Sequence, residues 1–276
     1  NNGLQSQHVL LPPGSFMDAS GREATGEIEL AARSVSMLAP VVGHRSAEFM
    51  PVYKRITEAL KPVFRTTRDV YLATSSATFL MEAALTSLVE RDVLHLTNGA
   101  FSERWREIGQ SLGRASDQIA APWGEIVDPE LVRQALRRKR YEAVTVAHNE
   151  TSTGVANPLR EIARVVREES EALLLVDAVS SLAGLPLESD AWGLDFVFAG
   201  VQKGLATPPG LTVFAFSERA EAKAETIPHR GYYGDLLRYR DKHREGGPIT
   251  TAAVSIAWAL DLALERLARE GMEARW

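Results

Sequence analysis

Short apolar runs alternate along the chain with longer stretches in which apolar positions recur every three or four residues. The runs at 70–73, 93–97, 118–121, 143–147, 173–176, 196–199 and 211–216 read as strands. The stretches at 79–90, 101–112, 129–138 and 158–169 read as amphipathic helices. Leu173-Leu174-Leu175-Val176 is apolar without interruption, as in a strand buried on both faces of its sheet. This alternation predicts an α/β fold, with a mostly parallel seven-stranded sheet between helices. The punctuation fits: Pro129 follows Asp128 and Pro158 follows Asn157, each pair reading as an N-cap with proline at the first helical position. A last helical pattern rich in Ala, Leu and Glu covers 252–269, with Gly271 as its stop signal. Residues 1–35 carry only weak periodicity. The expected organisation is therefore an N-terminal segment (1–35), a large domain (36–250) and a helix (251–276) leading into a second domain largely absent from this chain.

Composition narrows the chemistry. The chain has 276 residues, 45% hydrophobic and 24% charged, an ordinary globular balance. A formal charge of −5 offers no broad basic surface for nucleic acid. The absence of cysteine excludes disulfides and thiol nucleophiles, and the 6 histidines show no metal-ligand spacing. No apolar run approaches the ~20 residues that span a bilayer. The polar start, Asn1 to Gln7, lacks a signal-peptide core and has no initiator Met. The expectation is a cytoplasmic enzyme whose true start is missing or processed.

Ligands of open α/β sheets bind beyond the carboxyl ends of the strands, and four features fall at such ends. Asp177 closes the run 173–176, where a buried carboxylate is costly unless a cation meets it. It reads either as the partner of a cation or as a turn and capping residue ahead of Ser180 and Ser181. Lys203 follows the run 196–199, with glycines on both sides. It reads either as a partly desolvated amine suited to a Schiff base or as a surface loop lysine; Lys223, in the charged stretch 218–225, fits the surface reading better. Thr74-Ser75-Ser76-Ala77-Thr78 precedes a helix, either as a phosphate site or as a plain N-cap. His148-Asn149-Glu150-Thr151-Ser152-Thr153-Gly154 follows the run 143–147, either as a ligand-binding segment or as a solvated loop.

In order along the chain, Gly43-His44-Arg45-Ser46, Met81-Glu82-Ala83-Ala84, Asn98-Gly99-Ala100-Phe101, the segment 148–154, Val176-Asp177-Ala178-Val179-Ser180 and Gln202-Lys203 resemble the class V aminotransferases of fold type I. That family includes the alanine–glyoxylate, serine–pyruvate and phosphoserine aminotransferases, and the resemblance runs from residue 41 to 276. It implies pyridoxal 5′-phosphate as cofactor and the fold of the pyridoxal-phosphate-dependent transferases. Lys203 would attach the cofactor and shuttle a proton, and Asp177 would pair with the ring nitrogen. Val179 and Phe101 would cover the two ring faces, and Thr151 would reach the phenolic oxygen. Ser76, Ala77, Thr78 and Gln202 would hold the phosphate. Thr250 or Thr251 would reach the phosphate of a neighbouring subunit, because relatives are homodimers with shared active sites.

Two departures stand out. Relatives read Thr-Gly-Ser-Gly-Thr in the phosphate loop, whereas Ser75 and Ala77 replace both glycines here; a loop needing positive φ would be strained. Relatives also continue past 271–276 into a domain carrying the arginine that clamps the substrate carboxylate. The resemblance implies transfer of an amino group from a small amino acid such as alanine or serine to a 2-oxo acid such as glyoxylate or pyruvate. Phosphoserine is the alternative donor if Arg45, with His44 ahead of the helical stretch after Pro51, meets an acidic substrate rather than bracing that helix. A cofactor-binding fragment without turnover is the other alternative. Cysteine desulfuration is excluded for want of a catalytic cysteine.

Overall fold

The computed structural model describes residue 37 and residues 41–276. The segment 1–35, expected as a separate N-terminal piece, lies outside the described residues. The first helix, α1 (Phe49–Phe64), leads into β1 (Val70–Ala73), α2 (Ala77–Leu88), β2 (Asp92–Thr97), α3 (Ala100–Ser111), β3 (Ala115–Ala120) and α4 (Pro129–Arg138). Strand β4 (Ala143–Ala147) runs into a small hairpin, β5 (Asn149–Glu150) and β6 (Val155–Ala156), before α5 (Leu159–Glu169). Then come β7 (Leu173–Asp177), β8 (Phe196–Gly200), β9 (Thr212–Phe216), α6 (Glu218–Thr226), α7 (Leu236–Arg244), α8 (Val254–Glu270) and the short α9 (Met272–Arg275).

Seven strands among the described residues form one sheet in the order β1-β9-β8-β7-β4-β2-β3. Only β9 runs against the others, pairing antiparallel with both β1 and β8. The uninterrupted apolar strands are explained by two cores, one on each face. Leu174, Val176, Val197, Ala199, Val213 and Ala215 face one core with α1, α4, α5 and α8. Leu173, Leu175, Phe196, Phe198, Phe214 and Phe216 face the other with α2, α3, α6 and α7. Alternate side chains of a strand point to opposite faces, so a strand between two cores shows no polar alternation. The helix at the end of the chain is part of this layer: Val254, Ala257, Leu260 and Leu264 of α8 share the core of α1.

Local signals act as read, with one exchange. The Asp128 carboxylate caps α4, accepting from the Glu130 N–H at 2.8 Å. Asn157 does not cap α5, as its position before Pro158 predicts. Its amide oxygen accepts from Val127 N–H at 2.9 Å, and its amide nitrogen donates to the Ala147 carbonyl at 2.8 Å. A buried amide that joins three segments satisfies more buried groups than a single cap would. Gly271 ends α8 at φ 82°, where a residue with a Cβ would be strained. No helix among the described residues is long and apolar enough to cross a membrane.

Candidate active site

The parallel pairing of β4, β7 and β8 places Ala147 beside Asp177 and Asp177 beside Phe198. The segments that follow these strands therefore emerge at one edge of the sheet. The end of β1 and the start of β9 join them there, because Ser75 and Thr212 hydroxyls lie 2.8 Å apart. All four features singled out in the sequence meet at this edge.

Asp177 is buried, 6% exposed, and its carboxylate accepts one hydrogen bond among the described residues, from Val179 N–H at 2.8 Å. Among the described residues no cation forms an ion pair with it. Burial pushes its pKa up to about 7, against the pull of the Val179 N–H; Glu150 adds to the rise and Arg104 opposes it. A buried carboxylate in this condition is short of positive charge.

Lys203 stands in the loop after β8. The expected desolvation is not found: the side chain is exposed. The loop turns there, with Ala206 N–H donating to the Lys203 carbonyl at 2.8 Å. Lys203 forms no ion pair among the described residues, whereas Lys61, Lys139, Lys223 and Lys242 each meet a carboxylate. The loops bearing Asp177 and Lys203 lie against each other. A Cβ at Gly204 would sit 2.3 Å from the Leu182 carbonyl oxygen, so only glycine allows this approach. Arg275 spans both loops, donating to the Ala183 carbonyl at 3.3 Å and the Gly204 carbonyl at 3.2 Å. Ala183 and Ala206, one in each loop, hold left-handed φ of 62° and 50°. Such a conformation costs an alanine about 1–2 kcal/mol, and strain of this kind gathers at functional sites.

The hydroxyl cluster opens α2. Ser76 occupies the N-cap position without a side-chain capping bond, and the Ala77 and Thr78 amides meet no acceptor among the described residues. Neither Ser75 nor Ala77 has a positive φ, so the loop carries no strain from lacking the relatives' glycines. Thr74 instead ties the loop to the segment before α8: its hydroxyl donates to the Thr251 carbonyl at 3.3 Å and accepts from Ala253 N–H at 3.1 Å. Thr250 is half-buried beside it.

Opposite, the β5–β6 hairpin packs on the start of α3. The Thr151 and Ser180 hydroxyls are hydrogen-bonded, linking the hairpin to the loop after β7. Half-buried Phe101 is covered by Arg104, whose guanidinium carbon lies 4.8 Å from the ring centroid. His148 is buried with its Nδ1 unpartnered, and burial drives its pKa down to about 4. Gln202 is exposed beside Lys203, and Val179 is half-buried beside Asp177. His44 and Arg45, the residues expected to meet substrate, lie before α1. Arg45 is exposed without an ion pair among the described residues. The bracing contact belongs to Ser46, whose hydroxyl accepts from Phe49 N–H at 3.3 Å.

Glu150, Ser152, Arg104, Gly204 and Arg275 were not given roles by the sequence. Of these, Glu150 was visible only as part of a motif; its partners Phe101 and Ser102 lie about fifty positions upstream.

The class-V aminotransferase family profile matches residues 31–275. An uncharacterized aminotransferase of Methanocaldococcus jannaschii is 37% identical over 245 residues, 87% of this chain and 63% of that one. The serine–glyoxylate aminotransferase of Methylorubrum extorquens is 34% identical over 250 residues, 86% of this chain and 62% of that one. In three dimensions, alanine–glyoxylate aminotransferase from Nostoc sp. superposes with a TM-score of 0.84 at 32% identity, covering 89% of this chain and 67% of that one. This chain thus spans under two thirds of the length of the two sequence relatives, and the profile match, residues 31–275, contains the seven strands and the edge just described. The chain belongs to the class-V aminotransferase family.

Proposed function

We propose that this chain binds pyridoxal 5′-phosphate at the carboxyl edge of its sheet and serves amino-group transfer from a small amino acid to a 2-oxo acid. The observation that carries the reading is Asp177, a buried carboxylate with its pKa raised to about 7 and no ion pair among the described residues. A protonated ring nitrogen is a cation that would pair with such a carboxylate. The unfilled amides of Ala77 and Thr78, with the Ser76 and Thr78 hydroxyls and Gln202, suit a phosphate at the start of α2.

When bound, pyridoxal phosphate supplies an aldehyde that condenses with amines and a ring that accepts electron density. The protein's part is attachment, orientation and proton handling. The Lys203 amine would hold the aldehyde end and would move the proton at the substrate Cα. Asp177 would keep the ring nitrogen protonated. Phe101 and Val179 would confine the ring between them, and the Thr151 hydroxyl would donate to its phenolic oxygen. Thr250 or Thr251 would reach the phosphate held by a second copy of the chain in a homodimer.

Alanine or serine is the proposed donor and glyoxylate or pyruvate the proposed acceptor, supported by the glyoxylate-dependent relatives. A second reading, phosphoserine as donor, rests on Arg45, an exposed guanidinium without an ion pair among the described residues, with His44 beside it. The test is spectroscopic and chemical. The protein mixed with pyridoxal phosphate gains a visible absorption band that Lys203→Ala lacks, and serine plus glyoxylate then yields glycine. A protein that gains no band overturns the reading. A band without amino transfer to any of these acceptors leaves a cofactor-binding fragment and overturns the activity.

A further inference from the structure

Among the described residues, Glu150 is a fully buried carboxylate, 0% exposed, that meets no lysine or arginine within ion-pair distance. Its partners are hydrogen-bond donors from two walls of the cleft. From the start of α3, Phe101 N–H reaches Oε1 at 3.3 Å and Ser102 N–H reaches Oε2 at 3.0 Å. From the hairpin, Ser152 N–H and Ser152 hydroxyl reach Oε1 at 3.1 and 2.8 Å. The Ser102 hydroxyl lies 2.9 Å from Oε2 and 2.9 Å from the Gly99 carbonyl, sharing its one proton between them. Ser152 also accepts from Ala100 N–H at 3.0 Å. The first three free amides of α3 are thus satisfied by side chains of the hairpin.

Burial alone would raise the pKa of Glu150. The donors from Ser102 and Ser152 outweigh it and hold the carboxyl below the usual range, so the group stays ionised at the positive end of α3. Gly99 makes the arrangement possible. A Cβ there would lie 2.4 Å from Glu150 Cγ and 2.5 Å from Ser152 Oγ.

We infer that Glu150 is a positioning residue for the cofactor cleft: it sets the distance between the wall bearing Phe101 and the wall bearing Thr151. The inference rests on the reading of Phe101 and Thr151 as ring contacts. Phe101 is bonded to Glu150 through its own N–H, and Thr151 lies between Glu150 and the Ser152 that donates to it, so one carboxylate fixes both. Its charge also acts on Asp177, against which it works electrostatically.

The test uses wild type, Glu150→Gln and the milder Ser152→Ala, with two probes: pyridoxal 5′-phosphate, and pyridoxamine 5′-phosphate, which cannot be captured by Lys203. Affinity is measured by absorbance and fluorescence, and wall geometry by the visible circular dichroism of the bound probe at saturation. Glu150→Gln is expected to weaken both probes about tenfold, as loss of charged acceptor bonds implies, and to reduce the induced dichroism at saturation. Ser152→Ala is expected to weaken them about threefold by losing one hydroxyl bridge. If Glu150 only stabilises the fold, melting temperature drops while affinity and dichroism of the folded protein stay at wild-type values; that overturns the inference. Should Glu150→Gln fail to fold, unchanged affinity and dichroism in Ser152→Ala overturn it instead. If wild type binds neither probe, it is the proposed cofactor reading that fails.

Discussion

Helices α2 and α3 each begin just after a strand of the main sheet ends, yet their N-termini are finished differently. At α3 the amides of Ala100, Phe101 and Ser102 all end on Glu150 or Ser152. At α2 the amides of Ala77 and Thr78 end on nothing among the described residues. The nearby carboxylates differ in the same way. Glu150 is saturated with donors and its pKa is lowered, whereas Asp177 has one donor and its pKa is raised. One region has been completed by the protein itself. The other leaves two amides without acceptors and a buried carboxylate along one edge of the sheet, and on the proposed reading a ligand with a phosphate at one end and a protonated ring nitrogen at the other would satisfy both.

The sharpest way to break this contrast is at Gly99. Gly99→Ala forces a Cβ onto Glu150 and Ser152 and is expected to destabilise the protein by about 2–3 kcal/mol through overpacking and lost caps. Denaturant unfolding measures it; a loss under about 0.5 kcal/mol, within the range of an ordinary surface change, shows that α3 does not depend on the Glu150 cap.

Asp177 tests the other side, with opposite sign. A carboxyl whose pKa is raised on folding favours the unfolded state once the unfolded group ionises. The cofactor-free protein therefore loses stability from about pH 4 up to about pH 7, and the loss persists above. Asp177→Asn removes that loss and is expected to stabilise the cofactor-free protein by about 1–3 kcal/mol at pH 8, fading to nothing near pH 4. Thermal melts across pH measure it. Destabilisation at pH 8 would mean that the carboxylate already has its partner.

The smallest effect is at α2. Ser76→Asp places a capping acid at the open N-terminus and is expected to stabilise the cofactor-free protein by about 0.5–1 kcal/mol. The same change removes the stabilisation that added pyridoxal phosphate gives wild type. A variant that gains stability and still responds fully to the cofactor places the phosphate elsewhere.

The sequence made most of the sheet legible because β1, β4, β7, β8 and β9 are buried along their whole length and so appear as largely apolar runs. It failed where that signal fades. Strand β3 begins at Ala115, not at 118, because its first residues are exposed or half-buried at the sheet edge. Helix α7 escaped notice because only Leu236, Leu237 and Tyr239 of its nine residues are buried. Asp177 and Lys203 were legible as polar residues closing apolar strands. The surroundings of Lys203 were not, since the close approach of Gly204 to the Leu182 carbonyl joins residues about twenty positions apart. Glu150 was hidden for a similar reason: a helix cap supplied from a hairpin 48 positions away leaves no local pattern.

The central claim is that the amine of Lys203 is where the cofactor attaches. Reduction of the protein–pyridoxal phosphate mixture with borohydride, followed by peptide mass spectrometry, tests it most directly. The account predicts a single stoichiometric phosphopyridoxyl group on Lys203, with Lys54, Lys61, Lys139, Lys223 and Lys242 unmodified. Label spread among those surface lysines, or left unchanged in Lys203→Ala, would contradict it.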